Sequence, residues 1–457
     1  MIGEAKTLEA LEKVVKASEV DQVSALLLGY TRGLTRFAES RVHQNVVESN
    51  AEVIITAVFG KKLGFASTNS LKTEDLKGAL KRAVAFAKVQ RERPSFRSLP
   101  AQQEIPQIPT FFPETARFSP KERAEVIKRL FAKATKAYPE LSRRAGVRLA
   151  GSFATGEGEL CVCNSLGVRA YQPYTFAELK VVALTEESSG YSYGLSRDVR
   201  RLDPELLGER ALKKGLDSQN PRELPPGRYD VLLEPPAVAE LLEWMGYIGF
   251  GAKSLQEGTG FMAGRLGEKI TGDFVTIYDD GLDPEGMAMP FDFEGVPKKK
   301  VALIEEGVAK GVVYDSLTAS KEGKESTGHA LPPGSWGGPL PLNLFMKEGE
   351  IPLEEMPLQM ERGILITRLH YVNGLLDTRR ALMTGMTRDG TFFVEDGKVA
   401  FPIKNLRFTE QILEAFSRIE AISRERWAIG AAWSELGAAT VPALIVKGFT
   451  FSGETLF

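Results

Sequence analysis

Tyr229-Asp-Val-Leu-Leu-Glu-Pro-Pro-Ala-Val-Ala-Glu-Leu-Leu-Glu-Trp-Met-Gly-Tyr247 changes its hydrophobic period halfway along. Residues 229 to 234 read as a short strand. Pro235-Pro236 then opens a helix to about residue 247, because proline in a helix's first turn sacrifices only an amide that has no intrahelical partner. Beyond that helix the chain reads as short strands with sharp turns: 364 to 370, 391 to 394 between Asp389-Gly390 and Asp396-Gly397, 398 to 403, and 443 to 451, with one more helix over 411 to 423. Just before it, Pro221-Arg-Glu-Leu-Pro-Pro-Gly-Arg228 looks like a linker. A strand-rich C-terminal domain is therefore expected over 221–457.

Upstream, helices and strands are mixed. Leu8, Leu11, Val14 and Val15 make an apolar stripe at helical spacing over residues 5 to 19. Strand patterns follow at 24 to 28, 35 to 43, 51 to 58 and 63 to 66, then a helix over 69 to 88. The proline-rich stretch 94–120 has no periodicity and reads as a linker. A helix over 121 to 138, strands at 147 to 150, 159 to 162 and 175 to 184, and a helix near 204 to 216 complete this half. The expected class is α+β, with an N-terminal α/β domain at 1–93, a middle α/β region at 121–220 packing with it, and the larger strand-rich part after it. No internal repeat is legible.

The composition excludes several functions. Lys+Arg at 58 nearly balances Asp+Glu at 60, without the basic footprint of a nucleic-acid binder. No segment of about 18 consecutive apolar residues occurs, and the N-terminus mixes acids and lysines where a signal peptide would be uninterrupted. A cytoplasmic protein with no membrane partner is expected. The only cysteines, Cys161 and Cys163, alternate on a predicted strand and cannot by themselves complete a four-ligand zinc site.

Residue chemistry yields no complete site. The three histidines, His43, His329 and His370, lie too far apart in sequence for a local metal motif. His329-Ala330 precedes Leu-Pro-Pro-Gly-Ser-Trp336-Gly-Gly-Pro, a stiff loop whose aromatic would suit peptide docking, although ordinary surface-loop duty is the plainer reading. Glu240 and Glu243 are i,i+3 neighbours on the helix and read as solvated charges. Arg379, Arg380, Arg388, Asp389 and Arg407 cluster near the C-terminal turns, where a guanidinium could hold a peptide carboxylate or a partner's acidic edge, with a salt-bridged surface as the plainer reading.

The segments Lys62-Leu-Gly-Phe-Ala-Ser-Thr-Asn-Ser70, Val162-Cys-Asn-Ser-Leu-Gly167, Asp279-Asp-Gly-Leu-Asp-Pro284, Pro290-Phe-Asp-Phe-Glu-Gly295, Lys324-Glu-Ser-Thr-Gly-His-Ala330 and Gly385-Met-Thr-Arg-Asp-Gly390 occur in the order of the TldD/TldE (PmbA) family. The chain resembles that family over nearly its whole length, on its TldE/PmbA side. TldD-like members carry H-E-x-x-x-H on the helix after the Leu-rich strand, the two histidines holding zinc and the glutamate activating water, with a later cysteine completing the site. Here those positions hold Glu243, Trp244 and Ile248, and 429 to 437 has no cysteine. The resemblance implies a cytoplasmic heterodimer acting on short or unfolded peptides, with zinc in a TldD-like partner and none in this chain, which could self-associate when alone.

Three readings follow. The first is a zinc-free subunit of a metallopeptidase system. The second is a peptidase active alone through Glu240, Glu243, His329 or His370. The third is a peptide-binding protein without proteolysis, using Trp336 and Arg388.

Overall fold

The structure, a computed structural model, describes residues 1–139, 146–335, 337–431 and 436–455. Its first half runs α1 (Glu4–Lys16), β1 (Gln22–Ala38), β2 (Arg41–Phe59), β3 (Lys62–Thr68), α2 (Thr73–Val89), α3 (Pro120–Ala137), β4 (Arg148–Asn164), β5 (Arg169–Leu184), β6 (Ser189–Ser196) and α4 (Pro204–Asp217). The predicted helix over 121 to 138 is α3, opened by a capping box in which Ser119 and Glu122 bond each other's backbone amides.

The six strands form one antiparallel sheet in the order β3-β2-β1-β4-β5-β6, joined at its centre by β1 and β4. Successive elements helix, strand, strand, strand, helix thus occur twice, the second set arranged outward from the centre like the first. This repeat of architecture has no legible counterpart in the sequence. Each edge strand lets a helix approach through a glycine. A Cβ on Gly64 of β3 would stand 2.2 Å from the Ala87 amide nitrogen of α2, and one on Gly190 of β6 would stand 2.2 Å from the Gly215 nitrogen of α4.

Strand alternation sorts the side chains between two faces. Leu27, Ile55, Cys161 and Cys163 meet Leu11, Leu76 and Leu80 of α1 and α2. Leu26, Ile54, Leu160 and Val162 face the other way, onto Met289, Phe291, Phe293 and Leu342 of the second half. The cysteines are free, buried strand residues. Buried Arg197 adds polar stitching across the halves: its guanidinium donates to the Thr175, Met287 and Ala288 carbonyls and lies over the Tyr174 ring.

The second half runs β7 (Gly227–Leu233), α5 (Pro235–Gly249), β8 (Ile277–Asp279), β9 (Val301–Glu305), β10 (Val308–Ala309), β11 (Asn343–Met346), β12 (Arg362–Asp377), β13 (Leu382–Glu395), β14 (Lys398–Pro402), β15 (Leu406–Gln411), β16 (Ile419–Gly430) and β17 (Ala438–Glu454). These strands make an eleven-stranded sheet in which β17 pairs with β7, closing β7-β12-β13-β15-β17 into a ring. Leu241, Leu242, Met245 and Ile248 of α5 join the core that this sheet encloses. The class is α+β, as expected.

Three local expectations change. The helix predicted over 411 to 423 is only Ile412–Phe416; the chain then enters β16, where pairing with β17 captures Ile419 and Ile422. Ile412, Phe416 and Ile419 have helical spacing, so local periodicity could not separate the two outcomes. Asp389-Gly390 is not a turn: both residues lie within β13 at positive φ, 55° and 120°. Asp396-Gly397 is the turn, with φ 48° and 74° suiting a tight hairpin. Strand β12 continues past His370 to Asp377.

Candidate functional site

The step from β7 into α5 places that helix against the ring, and Lys214 of α4 pairs with Glu234 at the helix start. Glu240 is not the solvated charge expected from sequence. It is half-buried, and burial raises its pKa while the Arg368 guanidinium opposes the rise. Glu243 and Trp244 are half-buried, and Ile248 is in the core. Among the described residues, Glu243 borders a hollow of about 20 Å³ lined by Leu340, Pro341, Leu344 and Ala439, which is room for a water rather than a side chain.

A catalytic zinc takes three protein donors of nitrogen, oxygen or sulfur. Glu243 offers a carboxylate, but the Trp244 indole is a donor only through its N–H and Ile248 has no heteroatom. These three side chains do not fit the ion. Among the described residues, no group of three or more His, Cys, Asp or Glu side chains is placed to hold a metal.

His329, a catalytic candidate, is enclosed rather than displayed on a loop. Its Nε2 lies 2.8 Å from Asp279 Oδ1, its Nδ1 2.9 Å from Thr327 Oγ1, and both His329 and Asp279 are fully buried. Lys298 Nζ lies 3.7 Å from the same carboxylate, and the Asn343 amide donates to its other oxygen. Burial opposes ionisation of Asp279, yet Lys298, His329 and these hydrogen bonds bring its pKa to about 2. Burial, then Lys298, lowers that of His329 despite Asp279. With no exposed side-chain surface and both ring nitrogens bonded, this imidazole ties the 327–329 segment to the end of β8.

Next to it, Asp292 accepts from the Glu294, Val296 and Ala330 amides. Three of the motif segments therefore converge on one buried polar cluster. Burial, then the Asp292 and Asp315 charges, pushes Glu294 up to about 8. An unfolded glutamate titrates near 4.3. Between those values the folded chain holds a proton the unfolded chain has lost, so stability falls as pH rises through the window. Glu294→Gln removes this decline. Urea denaturation at pH about 5 and about 8.5 should show the variant gaining on the parent at the higher pH.

His370 and Arg388 meet in a cleft of about 550 Å³. One wall is the β5–β6 turn, from Leu184 to Ser189; the other is β12 and β13 with the segment around Lys404. Asp389 forms its buried floor, accepting from Ser189 Oγ and from Arg368 Nε, each at 2.6 Å. Arg368 also lies 4.5 Å from the Tyr191 ring centre. Burial, then Arg388 and Arg368, lowers the His370 pKa, so its imidazole is neutral near pH 7.

The other clustered arginines disperse: Arg379 bonds the Gly258 carbonyl, Arg380 the Gln411 side chain and Arg407 the Met386 sulfur. His43 is exposed on β2. Trp336 lies outside the described residues. Sequence reasoning missed Ser189, Tyr191 and Arg368, because Ser189 reaches Asp389 and Tyr191 reaches Arg368 from a strand of the other half, and no local pattern encodes that meeting.

Three family models match the chain in order: PmbA/TldA metallopeptidase domain 1 over 26–87, the central domain over 113–219 and the C-terminal domain over 226–453. A protein named Metalloprotease from Methanothermobacter thermautotrophicus is 25% identical over 287 residues, a match spanning 60% of this chain and only 62% of that relative's length. Metalloprotease PmbA of Escherichia coli O157:H7 is 25% identical over 405 residues, 86% of this chain and 84% of the relative. The crystal structure of TldE from Thermococcus kodakarensis shares the fold with a TM-score of 0.83 at 23% identity, covering 97% of this chain and all of that one. A candidate modulator of a DNA gyrase from Thermotoga maritima matches equally well, at 22% identity over 97% of this chain and 99% of that one. With three consecutive domains accounted for, the chain belongs to the PmbA/TldD family of metallopeptidase-related proteins.

Proposed function

We propose that this chain is the zinc-free, TldE/PmbA-like subunit of a cytoplasmic metallopeptidase system that acts on short or unfolded peptides together with a zinc-bearing, TldD-like relative. The observation that carries the reading is the donor set on α5, where Glu243, Trp244 and Ile248 leave a single carboxylate. One carboxylate cannot hold the zinc that lowers the pKa of its water. The role left to this chain is to bind and orient peptide and to wall the partner's site from solvent. Exposed strand edges and clefts serve such a role because an extended peptide is recognised largely through its backbone.

The test pairs metal analysis with peptide cleavage, with and without the zinc-bearing relative from the same cell. Substoichiometric zinc in the purified chain, with cleavage only after the relative is added, is expected. Hydrolysis by the lone chain that is lost in Glu243→Ala would overturn the reading in favour of a self-sufficient peptidase. Failure to act with any zinc-bearing relative would leave a binding protein without proteolysis.

A further inference from the structure

We propose that the cleft between the β5–β6 turn and strands β12 and β13 binds the C-terminal carboxylate of a short peptide, with Arg388 as the clamp. The inference rests on the reading that peptides are what this protein handles. At about 550 Å³ the cleft has the capacity of a small-ligand site, enough for a few residues.

Its cations are not equivalent. Arg368 is committed to Asp389 and to the Tyr191 ring. Lys404 is paired with Glu223 at 2.8 Å. Arg388 is different: its nearest anion is Asp389, 3.8 Å from Nε, it is about half exposed, and it donates no hydrogen bond among the described residues. A guanidinium with its planar fork uncommitted suits a carboxylate, which takes two parallel N–H donors.

The backbone around it is built to aim side chains. Asp389 and Tyr371 adopt positive φ, and the β12–β13 ladder is interrupted between Ile366 and Arg368 and between His370 and Asn373. Irregularities of this kind redirect strand side chains and gather at functional sites.

The lining selects among anions. Glu186 and Glu187 on the opposite wall disfavour a phosphate dianion and favour an ammonium at the far end of the ligand. Leu184, Tyr371, Met386 and Ile403 supply apolar surface for intervening side chains. A monoanionic carboxylate, apolar side chains and an amine together describe a short free peptide.

Calorimetric titration of the isolated full chain with trialanine, its C-terminal amide and inorganic phosphate tests this. Trialanine should bind at least about tenfold more tightly than its amide. Arg388→Ala should erase that difference, Arg388→Lys should retain part of it, and Arg380→Ala, outside the cleft and bonded to Gln411, should leave it intact. Thermal melts of each variant separate lost binding from lost folding. Equal binding of acid and amide, no detectable binding of trialanine, full affinity in a folded Arg388→Ala, or phosphate displacing trialanine would each overturn the proposal. None of these results touches the partner-dependent cleavage assay, so the cleft can fail while the subunit reading stands.

Discussion

Asp279→Asn should lower the unfolding free energy by about 3–5 kcal/mol at neutral pH. Asp279 is completely buried at the end of β8 and is the counter-ion of Lys298, which is itself 3% exposed. An asparagine could still accept from the Asn343 amide, but it would leave the buried Lys298 ammonium without its nearest opposing charge, with only the more distant Asp292 carboxylate to offset it. Breaking such a pair by removing one partner costs far more than the pair is worth, because the remaining ion cannot recover its water. The pH dependence identifies the cause. Folded Asp279 titrates near 2, below the ordinary value of about 3.9 for an unfolded aspartate. Its contribution is therefore complete above the unfolded value and is lost as pH falls toward 2. Urea denaturation of parent and variant should differ most at pH about 7 and converge on acidification below about 4. A constant difference across that range would assign the loss to packing instead.

Gly190→Ala should destabilise by about 3 kcal/mol, at the upper end of overpacking effects. The added methyl would meet backbone, with the Gly215 nitrogen at 2.2 Å and the Ala211 oxygen at 2.3 Å, so no side-chain rotation relieves it and α4 must move off β6. The architectural repeat predicts the same penalty for Gly64→Ala, where the Ala87 nitrogen and Ala83 oxygen stand at 2.2 and 2.3 Å. Gly78 in α2 supplies the contrast. Its Cβ would meet only the tip of Arg82 at 3.7 Å, so Gly78→Ala should stabilise by about 0.5–1 kcal/mol through helix propensity. Denaturant midpoints of the three variants check both signs, and a neutral Gly190→Ala would mean that the helix seats more loosely than these distances indicate.

Much of this protein is legible in its sequence. The change from period 2 to period 3.6 at Pro235 located β7 and α5 closely, because a strand ending at two prolines can continue only as a new element. Cys161 and Cys163 were readable as strand residues from their spacing, and the ordered motif segments led to the family. The donor set of α5 was also a sequence-level observation, since the absence of nitrogen or sulfur at residue 248 does not depend on how the chain folds.

The failures have a common origin. The stretch 411 to 423 satisfied a helical period, and only β17, which lies after it in the chain, turned Ile419–Gly430 into strand. Asp389-Gly390 has turn chemistry, yet pairing on both sides keeps it inside β13, where its unusual φ shapes a cleft floor. His329 looked like a loop histidine because its partner Asp279 is fifty residues away. Glu240 and Glu243 looked solvated because a helix face is exposed only if no other element covers it.

The sequence by itself determined most element types, the order of the motif segments and the absence of histidine and cysteine from α5, because these depend on local periodicity and on which atoms the side chains possess. The tertiary structure alone decided that two helix-strand-strand-strand-helix units share one sheet, that His329 is sealed against Asp279 and Lys298, and that Arg388 stands uncommitted beside Asp389. Those outcomes depend on which distant segments remove one another from water and which charges they leave paired, and burial and pairing are properties of the assembled chain that no local stretch carries.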